Sequence, residues 1–103
     1  MKVEWTILAK EALRDTAKYI RKEYGLQTRE KFMQDVRHTN KLIGDNPNIG
    51  KIEQTLIARK TEYHSIVVYK LNKIVYYIDN NCVQVADFWD CRRDPDALAN
   101  RIK

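Results

Sequence analysis

Between residues 63 and 95 three short runs of β-branched and aromatic residues alternate with tight turns, and the rest of the chain must be arranged around what they form. Residues 66–69, 74–78 and 83–89 each read as a strand. Asn80-Asn81 is the clearest turn, because asparagine tolerates the positive φ that a two-residue hairpin demands. Leu71-Asn72 is a weaker turn signal of the same kind. A three-stranded meander is not stable alone in water and needs an apolar cover on one face.

The preceding half of the chain supplies that cover. Lys2-Val3-Glu4-Trp5 alternates polar and apolar residues and suits a short strand. Thr6 then stands where a helix N-cap is expected. Behind it Ala9, Leu13, Ala17, Ile20 and Tyr24 recur at helical spacing, with Lys10, Glu11, Arg14, Asp15, Lys18, Arg21 and Lys22 on the remaining surface. This is the pattern of an amphipathic helix of about four to five turns, closed by Gly25. A second helix is expected from Thr28 to about Gly44, with Phe32, Val36, Thr39 and Ile43 on its buried side. So short a connection makes the two helices an antiparallel hairpin. The breaker cluster Asp45-Asn46-Pro47-Asn48-Ile49-Gly50 ends the helical half. Thr55 to Ala58 reads as a weak strand, Arg59 to Glu62 as a polar turn, and Asp96 to Lys103 as a short helical tail.

The fold expected is therefore α+β in two layers: strand, helix, helix, then three or four antiparallel strands, in a single domain over residues 1–103. One sheet face carries the helices and the other is left partly open. By the period of two, Ile74, Tyr76 and Ile78 share the core face, so Lys73, Val75 and Tyr77 turn to the open one.

Nineteen basic residues against 14 acidic ones give a net charge of +5, which favours an anionic partner such as nucleic acid or an acidic protein segment. Cys82 and Cys91 bracket one strand, too far apart for a disulfide if that strand is extended. With no Cys-x-x-Cys or Cys/His cluster, no metal site or other cofactor is expected. No apolar leader and no apolar run of membrane-spanning length occur, so a cytoplasmic protein with no membrane partner is expected.

Several short motifs, in order, resemble the RelE/ParE superfamily, the toxin halves of bacterial type II toxin–antitoxin pairs. They are Val3-x-Trp5-Thr6-x-x-Ala9 followed by Leu13, Ile20 and Tyr24; then Phe32, Leu42 and the Pro47-x-x-Gly50 turn. Lys73-Ile74-Val75-Tyr76-Tyr77-Ile78 and Phe88-Trp89-Asp90-Cys91-Arg92-Arg93-Asp94-Pro95 complete the set. The resemblance implies a RelE-like fold and a growth-arresting protein, often serving plasmid stabilisation, held by a cognate antitoxin in a hetero-oligomer. It implies one of two targets. ParE-like members inhibit DNA gyrase without cutting nucleic acid; RelE-like members bind RNA in the ribosome and cleave mRNA.

Metal-free mRNA cleavage would need groups that assist 2′-hydroxyl deprotonation, stabilise the phosphorane and protonate the leaving oxygen. The resemblance places Lys73 and Arg92 in those roles. His64 is a third candidate, being the one histidine near the meander and titrating close to neutrality. Arg59, Lys60 and Arg93 are candidates for phosphate or partner contact. Asp90 and Asp94 flank Arg92 and offer it a purely structural pairing. Tyr63, Tyr69 and Tyr77 are tyrosines that could replace a missing acid. After Pro95 no Tyr or His follows, so the acid/base residue that many RelE-like members carry there is absent. A toxin of the ParE type therefore fits somewhat better, with the endonuclease as alternative and a degenerate toxin that only binds antitoxin as a third reading.

Overall fold

The computed structural model describes residues 1–102. Its elements are β1 (Lys2–Trp5), α1 (Ile7–Tyr24), α2 (Leu26–Asp45), β2 (Lys51–Ile52), a 3-10 turn (Gln54–Leu56), β3 (His64–Val68), β4 (Asn72–Asp79), β5 (Cys82–Asp90) and α3 (Pro95–Arg101). The strands form one sheet in the order β1-β5-β4-β3-β2. β2 to β5 pair antiparallel, whereas β1 runs parallel to β5, with Lys2 opposite Cys82 and Trp5 opposite Val85. The helical tail expected to reach Lys103 ends at Arg101, and Lys103 lies outside the described residues.

Local chemistry sets most boundaries. Thr6 caps α1 by accepting the Ala9 N–H at 3.1 Å, and its hydroxyl also donates to Ala86 O on β5. Gly25, at φ 94°, separates the two helices in a conformation that favours glycine. Asn80 and Asn81, at φ 49° and 58°, make the β4–β5 hairpin turn that asparagine favours. The β3–β4 turn falls on Tyr69 and Lys70 (φ 52° and 70°), one step before the Leu71-Asn72 expected from sequence. Asp35 on α2 explains the displacement: its carboxylate accepts the Tyr69 N–H at 2.8 Å, and Phe32 meets the Tyr69 ring edge-on. Tertiary contacts there override the local turn preference.

α1 and α2 cover one face of the sheet. Ala9, Ala17 and Ile20 from α1 and Phe32, Val36 and Ile43 from α2 pack on Ile74, Tyr76, Val83, Val85 and Phe88. The expected stripe of α2 is buried in full, including Thr39. Two expectations fail. Tyr24 is exposed, because it lies in the last turn of α1, and Ile78 is 39% exposed at the turn end of β4. Tyr76, by contrast, is fully buried.

The second face is not open. A bulge between Val75 and Tyr76, opposite Asp87 and Val85, leaves Ala86 as the extra residue of β5. Ala86, Val75, Trp89, Tyr63 and partly buried Tyr77 form a second apolar cluster, closed by Leu56 from the 3-10 turn and by Leu98 and Ile102 from the tail. Asp94 caps α3 by accepting the Asp96 N–H, with Pro95 at its first position, so the Asp94-Pro95 pair of the sequence is a helix start.

The Pro47-x-x-Gly50 turn has a concrete function in this packing. Tyr76 donates its phenol proton to Pro47 O at 2.8 Å and accepts the Gly50 N–H at 2.9 Å. A Cβ on Gly50 would stand 2.7 Å from the Tyr76 hydroxyl and 2.9 Å from Ser65 O, closer than any side chain tolerates. Gly50→Ala is expected to cost about 2–3 kcal/mol through overpacking and the lost hydrogen bond. Urea melts would measure it, and a loss under about 0.5 kcal/mol would mean that the turn moves aside freely.

Candidate functional site

Lys73 follows the first residue of β4 and points to the second face, as the period of two requires. It is only partly exposed there. Its ammonium donates to Glu53 Oε1 at 2.6 Å, and Glu53, between β2 and the 3-10 turn, is only 4% exposed. The Thr55 hydroxyl donates to the other oxygen of the same carboxylate, also at 2.6 Å. Burial on its own would raise the Glu53 pKa. The hydrogen bonds from Lys73, Thr55 and Ser65 outweigh it and hold the carboxyl below its ordinary value, so Glu53 is ionised. Exposed Cys91 stands close enough to feel this pair, and burial of its sulfur raises its pKa, which keeps it a thiol.

Arg92 lies on the opposite side. Its guanidinium grips Asp90 with two hydrogen bonds of 3.0 and 2.8 Å, and its backbone N–H donates to the same carboxylate. The side-chain bonds chiefly hold Asp90 below the usual carboxylate range. The neighbours of Arg92 are Tyr19 and Tyr24 of α1, on the helical face, whereas Lys73 faces Glu53 on the other. The fold therefore does not bring Lys73 and Arg92 onto one phosphate-sized site.

The remaining candidates are engaged too, except one. His64 is buried, stacked on Tyr76, with Nδ1 2.9 Å from Gly50 O and Nε2 3.0 Å from a Glu62 oxygen. Arg59 donates to Ala99 O at 2.6 Å and ties the 53–63 segment to α3. Arg93 lies over the Trp89 ring at 4.3 Å. Lys60 is exposed. Of the tyrosines, Tyr63 and Tyr77 meet edge-on inside the second cluster, and burial raises the Tyr63 pKa.

Sequence reasoning also passed over a cation. Arg101 of α3 donates two hydrogen bonds, at 2.7 and 3.0 Å, to Asp87, which is fully buried on β5. The pairing raises the Arg101 pKa. The signal was an aspartate inside an otherwise apolar strand, a residue that needs a partner when buried.

Two grooves flank α1. One runs between α1 and α2 on the solvent side, with Trp5, Leu13 and Met33 in its apolar floor. Lys10, Arg14, Lys18, Arg21, Arg29 and Arg37 line it, and no acidic residue does. Among the described residues only Arg29 of these six joins an ion pair, with Glu30. Lys10, Arg14, Lys18 and Arg21 recur at helical spacing in the sequence, but only the packing of α1 on α2 joins them to Arg29 and Arg37. The other groove follows the α1 flank that faces β5 and contains Tyr19, Tyr24 and Arg92.

The sequence model of the family described as the ParE toxin of type II toxin–antitoxin system, parDE, matches residues 3–95. The chain belongs to this family, within the RelE/ParE superfamily. Among solved structures it is similar to a chain of the chromosomal ParDE toxin–antitoxin system from P. aeruginosa. The two superpose with a TM-score of 0.71 at 14% identity, over 87% of this chain and 95% of that one. At that identity the likeness is one of fold, and it agrees with the α+β class expected from the sequence. No curated protein sequence matches the chain. Among the described residues no helix is long and apolar enough to cross a membrane.

Proposed function

We propose that this chain is a growth-arresting toxin of the ParE kind, acting in the cytoplasm by protein contact with DNA gyrase and not by cutting RNA. The observation that carries the reading is that the side chains a metal-free nuclease would use are already held by internal partners. Lys73 is bound to Glu53, Arg92 to Asp90, and His64 lies buried between Gly50 O and Glu62. Freeing Lys73 for a phosphate would leave the buried Glu53 carboxylate without its cation, which opposes any catalytic excursion. Membership of the ParE family supports the same choice.

The neutralising partner is an antitoxin whose acidic, amphipathic helix lies in the α1–α2 groove, its apolar side on Trp5, Leu13 and Met33. Six basic residues around an apolar floor favour such a helix and speed its association.

Induced expression of the chain is expected to slow bacterial growth, and the product of the adjacent reading frame to restore it. The purified chain should inhibit gyrase supercoiling, and primer extension on cellular mRNA should show no ribosome-dependent cuts. Such cuts would replace the gyrase reading with the endonuclease one. Arg14→Glu combined with Arg37→Glu should weaken antitoxin binding at least about tenfold, measured by titration calorimetry, and make the toxin hard to neutralise. Unchanged affinity would place the antitoxin elsewhere.

A further inference from the structure

We propose that the groove on the β5 flank of α1 holds the target, by gripping one segment of a second protein that has an apolar middle, an acidic end and a basic end. This rests on the gyrase reading above and assigns the surface of this chain that makes the contact.

The groove is large, about 670 Å³, which is room for several side chains and not for a single ion. Its floor is apolar, built from Ile20, Tyr69 and Phe88. Over that floor stand aromatic and aliphatic side chains that the fold leaves uncovered: Tyr19 is 51% exposed, Tyr24 64% and Leu71 45%. Tyr19 and Tyr24 meet edge-on at 6.4 Å between ring centres and so present one continuous aromatic surface. Tyrosine and arginine are the residue types that dominate binding energy at protein interfaces, and Arg92 stands beside both rings. The fold itself gives no reason for Tyr24 to be there. Its position in the α1 stripe predicts burial, yet it contributes nothing to the core.

The charges decide what kind of occupant fits. Glu11 and Asp15 of α1 line the end nearer the helix start. At the end beside Tyr19 and Tyr24, Arg92 is paired with Asp90 and Arg93 adds a cation in excess, while Arg101, also in the lining, is offset by Asp87. Glu11 precedes Tyr19 by eight residues, about 12 Å along the helix. The groove therefore has an acidic pole and a basic pole, in contrast to the uniformly basic α1–α2 groove on the other flank. A nucleic-acid backbone would set phosphates against Glu11 and Asp15. A polypeptide segment of opposed end charges meets each pole with its complement. Because the two grooves lie on different flanks of α1, contact with the target and contact with the antitoxin draw on different side chains.

The test uses the full chain, purified gyrase from the bacterium that encodes it, and the antitoxin as a control for folding. Tyr19→Ser combined with Tyr24→Ser is expected to keep the wild-type melting temperature and antitoxin affinity while losing gyrase affinity by about tenfold or more. Asp15→Lys, which inverts the acidic pole at an exposed position, is expected to weaken gyrase binding several-fold at unchanged melting temperature. If the wild-type chain binds and inhibits gyrase and the double variant does so equally well, the groove assignment is wrong while the target reading stands. If the double variant loses gyrase and antitoxin together with its fold intact, one surface takes both partners and the proposed division is wrong. If the wild-type chain does not bind gyrase at all, the target reading fails and this inference falls with it.

Discussion

Replacing Arg101 by alanine is expected to cost the fold about 3 kcal/mol, the low end of what breaking a buried ion pair costs. Asp87 has no solvent exposure and accepts two hydrogen bonds from Arg101 and one from the Phe88 N–H. Without Arg101 the carboxylate keeps one backbone donor and must remain charged in an apolar strand or take up a proton. The low end is the right choice because the Arg101 side chain is itself 30% exposed, so water can partly replace it. Arg101 also lies over Trp89 at 5.7 Å, and its loss loosens α3 against the second cluster. Urea melts of Arg101→Ala should show the loss. Replacing both partners, Asp87→Leu with Arg101→Met, should recover much of it, since no buried charge then remains. A single-variant loss under about 1 kcal/mol would mean that α3 is held by Leu98 and Ile102 alone.

Lys73→Met is expected to cost about 2–3 kcal/mol at neutral pH, by stranding Glu53. The pH dependence gives the sharper readout. In the wild type the Glu53 pKa is depressed, so its stabilising contribution is complete above the unfolded carboxylate value, near 4.3, and is lost as pH falls through the lower folded value. In Lys73→Met burial is no longer outweighed by the lysine, and the Glu53 pKa moves up. The variant's stability deficit should therefore shrink as pH is lowered from 7 towards 5. Adding Glu53→Gln should remove the pH dependence of that deficit. Growth arrest by Lys73→Met should fall only as far as the folded fraction does. Complete loss of toxicity at wild-type stability would instead mark Lys73 as a functional group.

What could be read in the sequence was whatever depends on near neighbours. Thr6 caps α1, Phe32, Val36, Thr39 and Ile43 line the buried side of α2, and Asn80-Asn81 turns β4 into β5 because each is decided within a few residues. The parallel pairing of β1 with β5 joins residues about eighty apart, and a four-residue alternating run carries no information about its neighbour. The second core escaped for a related reason. Period two separates the faces of β4 but does not say whether both are covered, and the cover comes from Leu98 and Ile102 in a tail too short to show an amphipathic period. The bulge opposite Val75/Tyr76 shifts the alternation in β5, so Ala86 and Asp87 could not be assigned by counting. At the candidate site, the pairing of Arg92 with Asp90 lay two residues away and was within reach. That of Lys73 with Glu53 spans twenty residues and a segment with no clear pattern, so Lys73 looked free.

The first strand of the fold finds its sheet partner only in the last one. β1 borders only β5 in the sheet, and Thr6, which starts α1, donates its N–H to Val85 O. A nascent chain that stops short of the mid-eighties can assemble its helical hairpin, yet it cannot fix that hairpin's entry point to the sheet. Long-range pairing of this kind slows folding. The parallel edge of the sheet therefore closes only once β5 is present, and a chain truncated before the mid-eighties lacks it.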